Sequence, residues 1–227
     1  MIIEFSEILN NGFKINGIFH IGAHYGQEAN MYFQKNIPCI LFEPNPDSFK
    51  KLKENFSDIP GIKIENYALG NENEKKLMYC EKSNQGMSSS LLKPKKHLEY
   101  YPTIAFEHEC FVDQILLDDY VYDKRINLET YNTIVMDVQG YELQVLKGTK
   151  NTLNEIDHIL TEVNFEHLYE NCVLIDELDS FLKKYNFNRL STVDSGAGWG
   201  DAFYSKHNPF SLSDYLKNKL LNSRVSC

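Results

Sequence analysis

FHIGAHYGQE, residues 19–28, is the stretch on which the fold turns. An apolar run ends at Gly22 and a second glycine, Gly26, follows four positions on. This is the spacing of a buried strand that breaks into a tight turn and opens a helix. Two residues stand out: His20 occupies a place where a carboxylate is expected, and His24 lies between the glycines, where a third glycine is common.

Working outward, IFHI (18–21) reads as the strand and QEANMYFQK (27–35) as the helix after it, with CILFE (39–43) a second strand. Asn45 supplies an N-cap and Pro46 a first-turn proline, ahead of Phe49, Leu52 and Phe56 at helical spacing. IKIENYAL (62–69) reads as a third strand, NENEKKLMYC (71–80) as a turn feeding an edge strand or hairpin, and SNQGMSSSLLKP (83–94) as loop. TIVMDV (133–138), GYELQVLKGTKNTL (140–153) and HILTEV (158–163) repeat the strand, helix, strand order, and VLIDELDSFLKKY (173–185) is a helix. FNRLSTV (187–193) and DAFYSK (201–206), joined by the turn DSGAGWG, should pair antiparallel. Alternating strands and helices predict an α/β fold: a mostly parallel sheet with helices on both faces. The 227 residues are expected to form one domain (1–227), with an N-terminal lead (1–14), a lid or insertion (81–110) and a C-terminal tail (207–227).

A formal charge of −9 disfavours a nucleic-acid surface and suits a neutral or cationic small partner. No stretch approaches the roughly 18 apolar residues of a membrane span, and MIIEFSEILN lacks the basic lead of a signal peptide, so a cytoplasmic protein is expected. Cys39, Cys80, Cys110, Cys172 and Cys227 are scattered and odd in number, which predicts reduced thiols and no metal knuckle.

Ligands of open α/β sheets bind outside the C-terminal ends of the strands, which here collects Gly22 to Gly26, Glu43, Ala68 to Gly70, Asp137 to Gly140, and Glu162 with Asn164. Glu43 follows Gly22 by 21 positions, near the roughly 20-residue spacing at which an acid grips a ribose diol. A dinucleotide loop needs bare backbone against a pyrophosphate, and His24 with Tyr25 would crowd it. S-adenosylmethionine keeps the ribose diol without the phosphates.

HIGAHYGQE, LFEPNPDSFKKLKENF, YALG and above all IVMDVQGYELQVLKG followed by ILTEV resemble the FkbM-type family of S-adenosylmethionine-dependent methyltransferases, in order from about Gly17 to Lys206. The resemblance implies a Rossmann-like class I methyltransferase fold, seven strands with the last reversed, and methyl transfer to a hydroxyl of a carbohydrate or other natural product. By that likeness Gly22, Ala23 and Gly26 line the methionine part, Glu43 takes the ribose hydroxyls, Ala68 lies near the adenine, Ser89 and Asn84 form the rim, and Asp137 sits by the sulfonium and the acceptor; His24, Pro44 and Val138 are further cofactor-binding candidates. Two departures stand against the family pattern: aspartate is common at the place of His20, and glutamate at that of Gln139.

An acceptor hydroxyl benefits from a group that takes its proton, for roughly 10²- to 10⁴-fold. The candidates, in order, are Asp137, Glu162 and His167. Those three could also form a carboxylate and imidazole metal site, though their spacing does not require one, and no metal is expected. Glu142 reads equally as a helix-start cap or a cleft residue. The aromatic stretch EYYPTIAFEH (99–108) reads as a lid over a sugar-like ring or as a satellite core, and KPKK (93–96) as a solvated face. The competing functions are a nicotinamide-dependent oxidoreductase on a similar sheet and a binding protein that has lost turnover.

Overall fold

The structure, a computed structural model, describes residues 1–106 and 108–207. The expected tail (207–227) therefore lies outside the described residues except for His207.

Strands β1 (Ile18–Ile21), β2 (Cys39–Phe42), β3 (Ile62–Glu65), β7 (Thr133–Met136), β8 (His158–Asn164), β9 (Asn188–Asp194) and β10 (Trp199–Ser205) form a seven-stranded sheet in the order β3-β2-β1-β7-β8-β10-β9. The first five strands of that order run parallel, and β10 is antiparallel to both β8 and β9. The closing hairpin is thus the reversed element expected from its short turn. Strands β1, β2 and β7 are buried along their whole length, as parallel strands covered on both faces must be. Period two splits the residues of the main sheet between two cores: Phe19, Ile21, Ile40, Phe42, Ile134 and Met136 on one face, Ile18, Leu41, Val135, Leu160 and Phe203 on the other.

Helix α1 (Phe5–Asn10) lies in the N-terminal lead. Helix α2 (Ala29–Gln34) begins later than the sequence pattern suggested, because residues 23–29 are spent on consecutive turns closed by Gly26 N–H to Ala23 and Ala29 N–H to Gly26. Helix α3 (Pro46–Phe56) starts as expected, with the Asn45 side chain accepting from Asp47 and Ser48 amides. Helices α4 (His97–Tyr100), α5 (Leu117–Asp123), α6 (Glu142–Lys147) and α7 (Ile175–Leu182) complete the set.

The expected strand 62–69 is two. After β3 the chain leaves the main sheet, and β4 (Ala68–Leu69) pairs with β6 (His108–Ile115), which also pairs antiparallel with β5 (Glu74–Cys80) in a second, three-stranded sheet. Residues 108–110, read as the end of a lid, belong to β6. Its alternation of buried Val112 and Gln114 with exposed Phe111 and Asp113 places glutamine inside and phenylalanine outside, which disguises the strand in the sequence. Gln114 is buried because its side-chain amide donates to the Glu72 carbonyl and accepts from the Tyr141 hydroxyl. No helix among the described residues is long and apolar enough to cross a membrane.

Candidate active site

The C-terminal ends of β1, β2, β7 and β8 open onto one cavity of about 540 Å³. Gly22 sits at its floor with φ +80°, a conformation open to glycine at little cost, and a Cβ there would collide with the Asp137 carbonyl oxygen. The glycine therefore lets the ends of β1 and β7 meet. Gly26, also at φ +80°, packs against Phe56 and Leu52 of α3. It shapes the turn and does not line the cavity, contrary to the ligand contact expected for it.

His24 adopts φ +48°, unusual for a residue with a side chain. Three contacts hold it there: its N–H donates to Glu43 Oε2 at 2.8 Å, its ring stacks on Tyr25 at 3.8 Å, and Nε2 lies 2.8 Å from the Gln85 carbonyl. The Tyr25 hydroxyl donates to the same carbonyl at 3.1 Å. The turn is thereby tied to the 83–94 loop by side chains.

Glu43, at the end of β2, is 5 % exposed and accepts from the amides of His24 and Asn45, both at 2.8 Å. Each carboxylate oxygen keeps a lone pair beyond these bonds. Burial pushes the Glu43 carboxyl up to about 7, against the two amide bonds that favour its charge.

After β7, Gln139 takes φ +54° and its Nε2 donates to Asp137 Oδ1 (2.7 Å) and Glu162 Oε2 (2.9 Å). The Tyr169 hydroxyl donates to Gln139 Oε1 at 2.8 Å. An amide at this position joins two carboxylates that would otherwise repel, so glutamine here has a structural reason. Burial, and then the charge of Asp137, raise Glu162 well above the usual carboxylate range. Glu142 serves neither as a helix cap nor as a cleft residue: fully buried and away from the cavity lining, its Oε1 accepts from the Val138 and Gly140 amides and ties down the loop ahead of α6. Burial pushes it up to about 7.

His20 is buried, with Nδ1 3.2 Å from the Tyr32 hydroxyl, and burial lowers its pKa. Glu28, just before α2, lies on the same cavity wall, 3.7 Å from the Met1 amino group.

Of the residues expected from sequence, Gly22, Ala23, His24, Glu43, Pro44, Ala68, Asn84, Ser89, Asp137, Val138 and Glu162 line this one cavity. His167 does not: it is exposed, and its Nδ1 bonds to the Cys172 carbonyl at 3.2 Å because the loop after β8 turns it outward. No cluster with metal-holding geometry occurs among the described residues, and Asp137, Glu162 and His167 do not converge. His97 was not foreseen. It sits in KKHLEYY, which offers no periodic signal, and becomes buried only because residues 93–97 are pinned to the loop after β8 by Lys95 and His97 amides donating to Leu168 and Glu170 donating to Lys93.

A seven-stranded sheet in this order with one reversed strand, a glycine bend after β1 and a buried acid after β2 define a Rossmann-like methyltransferase. Residues 20–189 match the Methyltransferase FkbM domain, and the chain belongs to that family of methyltransferases. It is 30% identical over 176 residues to the 2-O-methyltransferase NoeI of Sinorhizobium fredii, covering 72% of this chain and 71% of NoeI. It is 28% identical over 147 residues to the hexuronic acid methyltransferase AglP of Haloferax volcanii, covering 65% of this chain but only 55% of AglP. Among solved structures, the ribosomal protein L11 methylase of Lactobacillus delbrueckii superposes with a TM-score of 0.51 at 12% identity, over 90% of this chain and 77% of that one.

Proposed function

We propose that this protein is an S-adenosylmethionine-dependent O-methyltransferase whose acceptor is a hydroxyl of a carbohydrate or related small molecule. The observation that carries the cofactor reading is the charge of the cavity. Glu28, Glu43, Asp137 and Glu162 line it, set against the Met1 amino group beside Glu28, and among the described residues no lysine or arginine side chain does. A dinucleotide brings a doubly charged pyrophosphate, which this wall repels, whereas a sulfonium nucleoside brings cationic groups and a ribose diol. The His24–Tyr25 stack, closed onto Gln85, fills the space a phosphate loop leaves open.

The residues present fit that cofactor. Glu43 has unspent lone pairs for the ribose hydroxyls, the bend at Gly22 and Ala23 exposes backbone to the methionine part, and Pro44, Ala68 and Val138 flank the nucleoside. Asn84 and Ser89 supply uncharged polar groups at the rim. Glu28 carries a carboxylate on the wall beside His20, where it faces the Met1 amino group at 3.7 Å. The bound cofactor supplies a methyl group activated by its sulfonium. Gln139 holds the Asp137 and Glu162 carboxyls together at the reactive end, where Asp137 is the first candidate to take the acceptor's proton and Glu162 the second. The relatives' named activities, a 2-O-methyltransferase and a hexuronic acid methyltransferase, support a carbohydrate acceptor.

Calorimetry tests the cofactor: S-adenosylhomocysteine is expected to bind and NAD⁺ is not, and the opposite result overturns the reading in favour of the oxidoreductase. Transfer of a labelled methyl group to a carbohydrate panel tests the reaction. Cofactor binding without transfer to any member would favour the silent binding protein.

A further inference from the structure

The far end of the cavity is built differently from the cofactor end. His97, Tyr101, Ile104, Leu168 and Trp199 line it, bringing three ring systems and two aliphatic side chains to one wall. The Trp199 indole N–H donates to the Tyr101 hydroxyl at 2.9 Å, which fixes two of the rings relative to each other. The His97 ring lies against Tyr101, Phe106 and Tyr169 at centroid distances of 5.0–5.7 Å.

His97 is 4 % exposed, its Nδ1 is shut from solvent without a hydrogen-bond partner, and no described residue bonds its other nitrogen. A buried imidazole with neither its donor nor its acceptor used is costly, and such groups ordinarily have partners. Because Nδ1 is closed to the cavity as well as to solvent, Nε2 is the ring nitrogen left to meet a partner inside it, and the place of His97 on the cavity wall points to one there. Tyr169 joins this wall to the reactive end, since its ring touches His97 while its hydroxyl bonds Gln139, which holds Asp137 and Glu162.

Two lysines of the neighbouring KPKK run are ion-paired. Lys96 pairs with Glu166 at 2.6 Å and Lys93 with Glu170 at 4.0 Å, and neither lysine lines the cavity. Aromatic faces beside a hydrogen-bonding imidazole suit the apolar C–H face and hydroxyl edge of a pyranose. A sugar carboxylate would meet no lysine or arginine side chain on this wall and would approach Asp137 and Glu162 at the adjoining reactive end.

We infer that this end of the cavity is the acceptor subsite, that it takes the ring of an uncharged glycoside in preference to a hexuronate, and that His97 is its hydrogen-bonding anchor. The inference rests on the O-methyltransferase reading and adds to it the acceptor class and the residues that select it. It also separates this chain from the relative named for hexuronic acid.

Trp199 is the single tryptophan of the chain, so its fluorescence reports this wall directly. With S-adenosylhomocysteine bound, the protein is titrated with methyl glycosides of neutral hexoses, 6-deoxyhexoses and pentoses and with methyl hexuronosides. At least one neutral glycoside is expected to shift Trp199 emission saturably and more tightly than any hexuronoside. His97→Ala should weaken that glycoside at least tenfold while calorimetric affinity for S-adenosylhomocysteine stays within twofold. Ile104→Lys, at a partly exposed position, should narrow or reverse the preference by giving the hexuronoside a counter-charge. Tighter hexuronoside binding by the natural chain, a panel without any effect on Trp199, or an unchanged affinity in His97→Ala would overturn the subsite. Loss of S-adenosylhomocysteine binding by the natural chain would instead sink the cofactor reading beneath it.

Discussion

Glu43 shows how much a single side chain carries here. Two backbone amides hold its carboxylate at the cavity wall, and burial raises its pKa to about 7. Hydroxyl donors of a ribose prefer the ionised form, so cofactor affinity should weaken about tenfold on going from pH 8 to pH 6, as the competent fraction falls. Calorimetric titrations of S-adenosylhomocysteine across that range check the direction. Glu43→Ala should lose about 1–3 kcal/mol of binding and, with it, this part of the pH dependence. At Gln139 the expected outcome concerns folding as well. Gln139→Glu would set a third carboxylate against Asp137 and Glu162, and should cost about 1–3 kcal/mol at pH 8, less at pH 6, by denaturant unfolding. Both residues were legible in the sequence by position, but the partners that give them these properties come from distant segments.

At the scale of elements, α3 is positioned by a cap that adjoins the site. Asn45 Oδ1 accepts from Asp47 N–H at 3.0 Å and Ser48 N–H at 3.4 Å, and its own amide donates to Glu43. Asn45→Ala should destabilise the protein by about 1 kcal/mol through the lost cap, while leaving the backbone bond to Glu43. Thermal unfolding should register the change more clearly than cofactor binding. The capping and the proline at 46 were readable because they are local. The division of 62–69 between two sheets was not, because nothing in eight consecutive residues specifies that Glu65 pairs with Phe42 while Ala68 pairs with Gln114. Strand β6 and helix α5 went unread for the same reason: β6 places glutamine inward, and only the Glu72 carbonyl and the Tyr141 hydroxyl make that place polar.

For the whole molecule, the cost of gathering acids at one edge of a sheet is a dependence of stability on pH. A carboxyl such as Glu142 loses its proton near 4.5 in the unfolded chain and near 7 when folded. Between those values the folded state binds more protons, so this contribution to stability falls as pH rises through the window and is absent as a penalty below it. Glu142→Gln keeps an oxygen for the Val138 and Gly140 amides. It should raise stability at pH 8 by less than about 3 kcal/mol, with little change at pH 4.5, measured as the shift in denaturant midpoint.

The sequence by itself determined the alternation of strands and helices in the main sheet, the closing hairpin, the glycine bend and the acid at 43. Each is written in local periodicity, in turn chemistry or in a fixed spacing along the chain. Only the tertiary structure decided that Gly26 serves helix packing, that His167 faces outward, that Gln139 bridges two acids, and that His97 is buried at the cavity wall. Those outcomes depend on which distant segments meet, and the free energy of a buried polar group is set by the neighbours it finds there.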